Sequence, residues 1–166
     1  MKKLATRSAQ YPLFAEFVFQ HNDWVVDSVD QVKKTLGSTV ALSADPAEPG
    51  LLGPVSNTIV FDAINMPPYA VITGGEVIVE TAYAGSTAAT LSLGIAGATT
   101  ALVNATSIMA AAGTRVALTM TAPLLANAGQ NLRATIAYTV ANATAGKVRV
   151  RVMYTIDGRG NEVVTA

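Results

Sequence analysis

The chain has 166 residues, 51% of them hydrophobic, and its eleven Lys and Arg residues balance its eleven Asp and Glu residues. This length suits one well-buried core and is short for two domains, so we expect one domain. Because the net charge is zero, no overall field draws the protein to nucleic acid or to an anionic membrane, and we expect neither as a partner. With no cysteine and one histidine, disulfides and thiolate metal sites are excluded, and a protein-only zinc site is not expected.

The balanced charge hides an asymmetry between the two halves of the chain. Residues 1–80 carry five basic and nine acidic residues, and residues 81–166 carry six and two, so the halves have net charges of −4 and +4. If the two sets lay on different surfaces, copies or partners could meet by charge complementarity. The simpler interpretation is that folding mixes both sets over one surface.

The first part of the chain predicts an arm and then short strands. Residues 1–10 begin with the basic start of a signal peptide but lack its apolar core, so we interpret them as an N-terminal arm. Strands are predicted over 13–19 and 24–29, with a further segment to Val40. The aromatic residues of this region are expected in the core rather than in a ligand cage. They are Phe14, Phe17, Phe19 and Trp24.

The middle of the chain is rich in β-forming residues. Proline and glycine predict a loop over 44–54, and strands follow over 57–64 and 70–83, the second with a bulge or bend at Gly74-Gly75. Further alternating runs centre on Leu91, Leu93 and Ile95, and on Val116, Leu118 and Met120. Residues 104–112 predict one short helix or turn. The uncharged stretch 81–114 is broken by glycine and alternates like strands, so a membrane span is not expected.

Two strong strand patterns close the sequence. Residues 132–140 and 147–156 alternate apolar and polar positions, and the six residues between them suit a turn, which predicts an antiparallel hairpin. In the second strand Val148, Val150, Val152, Tyr154 and Ile156 share the buried face, and Arg149 and Arg151 share the wet face. Residues 158–166 are expected to form a C-terminal tail.

These elements predict an all-β fold. About eight or nine strands with antiparallel patterning and little helix indicate a β-sandwich in one domain over 11–157. The irregular lengths of the connections favour jelly-roll or Greek-key order over a simple meander.

The sequence offers no set of residues spaced for catalysis. Residues 81–146 contain only two charged side chains, Arg115 and Arg133. His21 lies near Asp23 and Asp27, but no nucleophile motif accompanies them, and the spacing of the aspartates does not match a calcium loop. We therefore expect a non-enzymatic protein with no metal or cofactor.

The basic residues are the remaining candidates for a site. Lys147, Arg149, Arg151 and Arg159 make the most basic patch. It is either a solvated outer strand face or a protein-binding surface, and it lacks the charge and stacking aromatics that nucleic-acid binding requires. The candidate partner-binding residues are Lys2, Lys3, Arg7, Arg149, Arg151 and Arg159.

Several stretches also carry a resemblance to a known group of proteins. The stretches 11–17, 68–82, 141–154 and 157–162 resemble small virion structural proteins of tailed bacteriophages, in particular jelly-roll decoration, or cement, proteins. The resemblance implies a place on the outer surface of a phage head after synthesis in the host cytoplasm, with the major capsid protein as partner. It supplies no active-site residue, and residues 35–57 match nothing in it.

Two questions stay open at this stage. The N-terminal aromatics offer surface to bury between copies, so we expect a closed homodimer or homotrimer. A tail, neck or fibre component is an alternative to the decoration protein, and a carbohydrate-binding sandwich for host recognition is another. For the last of these, Trp24 with Asp23 and Asp27 comes nearest to a sugar site.

Overall fold

The structure, a computed structural model, describes residues 12–37, 57–120, 124–126, 130–139 and 143–156. The described residues form β-strands and no helix, which confirms the all-β prediction. The strands are β1 (Leu13–Gln20), β2 (Trp24–Val26), β3 (Lys33–Thr35), β4 (Thr58–Asn65), β5 (Ala70–Ala84), β6 (Ala88–Ile95), β7 (Ala98–Ser107), β8 (Arg115–Ala117), β9 (Leu124–Ala126), β10 (Asn131–Thr139) and β11 (Ala145–Ile156).

Two antiparallel sheets make the sandwich. Sheet A has the order β1-β11-β5-β8, with β9 also on β5, and sheet B has the order β4-β10-β6-β7. The pairs β1–β11, β4–β10, β5–β8 and β6–β7 are nested in chain order, first strand with last. This nesting is jelly-roll order, a long antiparallel ribbon rolled into two sheets, so the predicted topology is confirmed.

The predicted count of eight or nine strands is too low, because the described residues form eleven. One of the two strands absent from the prediction is β9, which has only three residues. Three residues are too few to show an alternating pattern in a sequence. The strand β7, at the edge of sheet B, is also absent from the prediction, because its residues 98–101 are small and partly exposed and carry no alternation.

The core lies between the two sheets. Val148, Val150 and Val152 of β11 are fully buried, as predicted, and they meet residues such as Leu91 and Ile136 of sheet B in one hydrophobic cluster. Burying a side chain of this size contributes roughly 1.5–3 kcal/mol, so the alternating strands account for much of the stability.

Aromatic rings fill one part of this core. Phe17, Phe19, Phe61, Tyr83 and Tyr138 form a chain of rings with centroids 5.6–6.4 Å apart. The two tyrosine hydroxyls are buried without a hydrogen-bond partner in the described part of the chain. Burial raises the pKa of both phenols, so both remain protonated.

The strands β2 and β3 form a separate two-stranded ribbon that packs on the edge of sheet B. The Ser28 N–H donates to the Val60 carbonyl oxygen of β4 at 2.6 Å, and the Val60 N–H donates to Asp27 Oδ2 at 3.3 Å. The predicted strand over 24–29 is therefore shorter than expected, because it turns away at Asp27 to form these contacts. Val40 lies outside the described residues.

The predicted hairpin of 132–140 with 147–156 is wrong. β10 pairs with β4 and β6 in sheet B, whereas β11 pairs with β1 and β5 in sheet A. Both strands alternate because each buries one face, and that pattern is the same whether two strands are neighbours or face each other across a core.

Three other local predictions have mixed outcomes. The helix option for 104–112 is wrong, because β7 continues to Ser107, although bends and turns do follow. The bulge at Gly74-Gly75 is confirmed, since the register with β11 shifts beside Gly74 and leaves Thr73 as the extra residue. Phe17 and Phe19 are core residues as predicted. Phe14 and Trp24 are not, because their side chains are 62% and 58% exposed.

The first residue of β1 and the end of β11 lie at the same end of sheet A, because Leu13 pairs with Tyr154. Residues 1–10 and 158–166 themselves lie outside the described residues, as does the predicted loop 44–54.

Candidate partner-binding surface

The predicted basic residues Arg149 and Arg151 lie on the outer face of sheet A, on a central strand. β11 runs between β1 and β5, so each arginine has a neighbour on either side. The register places Arg151 between Glu16 and Glu76. The sequence predicted which face these arginines occupy, but not that carboxylates flank them.

Arg149 is bound by two carboxylates. Its Nη1 donates to Glu16 Oε1 of β1, and its Nε donates to Glu80 Oε1 of β5. Glu80 also contacts the Lys147 ammonium, with Nζ and Oε2 2.8 Å apart. Hydrogen bonds from Lys147 and Arg149 hold the pKa of Glu80 below its usual range, and the bond to Glu80 raises the pKa of Arg149.

Arg151 continues the same row of charges. Its Nη2 donates to Glu16 Oε2 at 3.1 Å, and its Nη1 lies 3.8 Å from Glu76 Oε1. Glu76 in turn accepts two hydrogen bonds from Nη1 of Arg115 on β8, at 2.8 and 3.0 Å. The result is a continuous charge ladder across four strands. Its members are Lys147, Glu80, Arg149, Glu16, Arg151, Glu76 and Arg115.

The charge ladder explains the asymmetry along the sequence. All three acids come from residues 1–80 and all four bases from residues 81–166, so folding mixes the two sets on this face. The local net charge is therefore only +1, from four bases and three acids. Arg149 and Arg151 lie on an outer strand face, one of the two interpretations that the sequence left open, and both are paired with carboxylates of the protein itself.

The other predicted partner-binding residues, Lys2, Lys3, Arg7 and Arg159, lie outside the described residues.

One end of the charge ladder opens into a groove that the sequence did not reveal. The groove has a volume of about 440 Å³. Its lining residues are Phe14, Gly75, Glu76, Arg115, Ala117, Arg151 and Met153. Successive side chains of a strand point to opposite faces, so Phe14, at an even position of β1, points outward while Phe17 and Phe19 point inward. This alternation is the feature of the sequence that could have indicated the exposure of Phe14.

The ribbon carries a second exposed apolar surface. Trp24, Val26 and Val29 are 58%, 49% and 75% exposed. The Lys33 ammonium lies 3.8 Å from the centroid of the Trp24 ring, a cation–π contact. A cleft of about 460 Å³ separates the ribbon from sheet B. Its lining residues are Val25, Val26, Ser28, Gln31, Phe61, Asp62 and Arg133.

The aspartates considered for a cation site hold a lysine instead. Lys34 is 4% exposed, and its Nζ donates to Asp27 Oδ2 at 2.7 Å and also to Asp30 Oδ2. Asp23 contacts the Gln20 N–H, away from this group. Within the described ranges, no group of three or more His, Cys, Asp or Glu side chains is close enough to hold a metal ion. The described residues also contain no helix that is long and apolar enough to cross a membrane.

The same contacts shift the pKa values of the ribbon. Desolvation alone would raise the pKa of Asp30, but hydrogen bonds from Lys34 and from the Val32 N–H hold it below the usual value. Desolvation alone would lower the pKa of Lys34, but its bonds to Asp27 and Asp30 raise it. An acid whose pKa is lowered by folding stabilises the fold at pH values above its pKa in the unfolded chain. A base whose pKa is raised by folding stabilises the fold at pH values below its pKa in the unfolded chain.

We therefore expect the ribbon to be most stable between about pH 4 and about pH 10, the unfolded pKa values of aspartate and lysine. The stabilisation by Asp30 is lost as the pH falls through its folded pKa, and that by Lys34 as the pH rises through its folded pKa. The emission of Trp24, the only tryptophan, reports the ribbon. A fluorescence that stays constant from pH 2 to pH 12 while the sandwich remains folded would contradict this assignment.

The fold and this surface define an antiparallel jelly-roll domain with a charged sheet face and two exposed apolar patches. No protein-family model and no curated protein matches the sequence. A chain in the solved structure of the cyanophage Pam1 capsid asymmetric unit is similar in fold, with a TM-score of 0.52 and 18% identity. The alignment covers 93% of this chain and 94% of that chain. At this identity the likeness shows a shared fold.

Proposed function

We propose that this protein is a decoration, or cement, protein of a tailed-phage head. In this proposal it binds the outer surface of the major-capsid lattice and stabilises the shell without catalysing a reaction. The observation that carries the proposal is the shared fold with a chain of a phage capsid asymmetric unit over nearly the full length of both chains. The resemblance of four sequence stretches to phage virion proteins supports it independently.

The chemistry of the described residues suits such a role. Most charged side chains on the outer face of sheet A are bound to each other, and the outer positions of sheet B are mainly small, such as Thr90, Ser92 and Thr135. A cement protein acts by contact area in many copies, and a ligand that binds only the intact shell stabilises it by mass action. We also propose that it forms a closed dimer or trimer, which would multiply these contacts.

Location on the virion separates this proposal from its alternatives. The experiment is cryo-electron microscopy of virions that carry the protein fused at its C-terminus to a small tag, labelled with gold. Label spread over the head supports the decoration role. Label confined to the tail or neck supports a tail component, and label on fibre tips together with binding to host glycans supports the carbohydrate-binding alternative.

A further inference from the structure

The groove at the end of the charge ladder has an apolar floor that is open to solvent. Phe14 is 62% exposed, and the Met153 side chain lies beside it on the neighbouring strand. A large aromatic at an outward strand position loses the benefit of burial unless something covers it. The outward positions of β1 are Phe14, Glu16, Val18 and Gln20, and of the two apolar side chains among them Phe14 is the exposed one.

The groove also has hydrogen-bond donors that remain available. Arg115 is 61% exposed, and only its Nη1 is used, by both oxygens of Glu76. Its Nε and Nη2 make no hydrogen bond within the part of the chain that the structure describes. A purely apolar cover would leave these donors buried without acceptors, which costs about 1–3 kcal/mol each. Whatever covers Phe14 therefore needs an acceptor near Arg115, and a carboxylate matches the guanidinium fork best.

The charge of the groove argues against a second copy of this protein as its occupant. The lining of the groove has two bases, Arg115 and Arg151, and one acid, Glu76, and Arg151 also donates to Glu16. The charge ladder as a whole keeps its net charge of +1, and Arg115 is the base that has free donors. A symmetric contact would place two such grooves against each other and would bring like charges together. An acidic segment of a different protein is complementary instead.

We infer that this groove receives a segment of the capsid lattice that carries a carboxylate next to an apolar side chain. The apolar side chain packs on Phe14 and Met153, and the carboxylate accepts from Arg115. This inference rests on the proposed function, because the lattice is its partner. It predicts a contact that is both hydrophobic and weakened by salt.

The test is a binding titration of the purified protein on heads from a phage whose gene for this protein is deleted. We expect Phe14→Ser and Arg115→Gln each to raise the Kd about tenfold or more, the size of an interface hot spot. Arg115→Lys keeps the charge but loses the fork, so its Kd should fall between those of Arg115→Gln and the wild type. Raising the salt concentration should weaken the wild type more than Arg115→Gln.

Matched controls come from the other face and from the ribbon. Arg133→Gln removes an arginine paired with Asp62 on sheet B, and Trp24→Ser removes an aromatic of similar exposure. Both should bind like the wild type, and all variants should melt near the wild-type temperature, because the changed side chains are exposed or, for Arg133, half-buried on an outer sheet face. Unchanged Kd values for the two groove variants, or a loss confined to Trp24→Ser, would overturn the inference. Failure of the wild type itself to bind heads would instead refute the proposed function.

Discussion

The variant Gly75→Ala is expected to lose about 3–5 kcal/mol of unfolding free energy, from overpacking together with backbone strain. Gly75 has a φ of +146°, a conformation that residues with a Cβ rarely adopt. A Cβ there would lie 2.2 Å from the carbonyl oxygen of Arg151 and 3.0 Å from Cα of Val152, on the paired strand β11. Backbone atoms in the middle of a sheet cannot move aside, so the β5–β11 pairing must distort.

Gly74 is the matched control for this prediction. A Cβ at Gly74 meets only the terminal methyl of Met153, at 2.8 Å, and that flexible side chain can rotate away. Urea unfolding of both variants, followed by circular dichroism, measures the difference. Equal stabilities of Gly75→Ala and Gly74→Ala would show that β5 and β11 do not approach as closely as described.

The second large effect is expected at the buried ion pair of the ribbon. Asp27 is 2% exposed and accepts from Lys34 Nζ at 2.7 Å and from the Val29 N–H at 2.8 Å. Asp27→Ala leaves Lys34 buried with only the partly exposed Asp30 as a partner. Removing one member of a buried pair typically costs roughly 3–5 kcal/mol, so we expect a loss of this size or detachment of the ribbon.

A double variant distinguishes the stranded charge from a general packing defect. Asp27→Asn together with Lys34→Met removes both charges, and the Asn oxygen still accepts from the Val29 N–H. Replacing a buried pair in this way is often close to neutral, so the double variant should be more stable than Asp27→Ala. Urea unfolding with Trp24 fluorescence measures both. A double variant as unstable as Asp27→Ala would contradict this account.

The antiparallel β-sandwich could be predicted from strand alternation, because one buried face per strand leaves a clear period of two. The pairing partner of each strand could not be predicted in this way. The patterns of β10 and β11 are those of two half-buried strands, and nothing local in them says that the strands lie in opposite sheets. The bulge at Gly74-Gly75 could be predicted, because glycine inside a long strand usually marks a bulge or a sharp bend.

The candidate site could be predicted only in part, for the same reason. Arg149 and Arg151 were correctly placed on an outer face, but their partners Glu16, Glu76 and Glu80 come from strands far away in sequence. The position of Arg115 at the end of the charge ladder depends on the pairing of β8 with β5. The sequence alone therefore identified Arg115 only as an isolated charge. Contacts of this kind follow from topology, which a single sequence does not encode locally.

The thermal rupture of phage heads tests the proposed function most directly. Heads from a phage lacking this protein should assemble, yet release their DNA at a lower temperature than complete heads, as measured with a DNA-binding dye. Binding stabilises each site by RT ln(1 + [L]/Kd), about 2.7 kcal/mol at a hundredfold excess over Kd, and many sites act together. Adding back the purified protein should restore the rupture temperature. Heads with and without the protein that rupture at the same temperature would contradict the cement role.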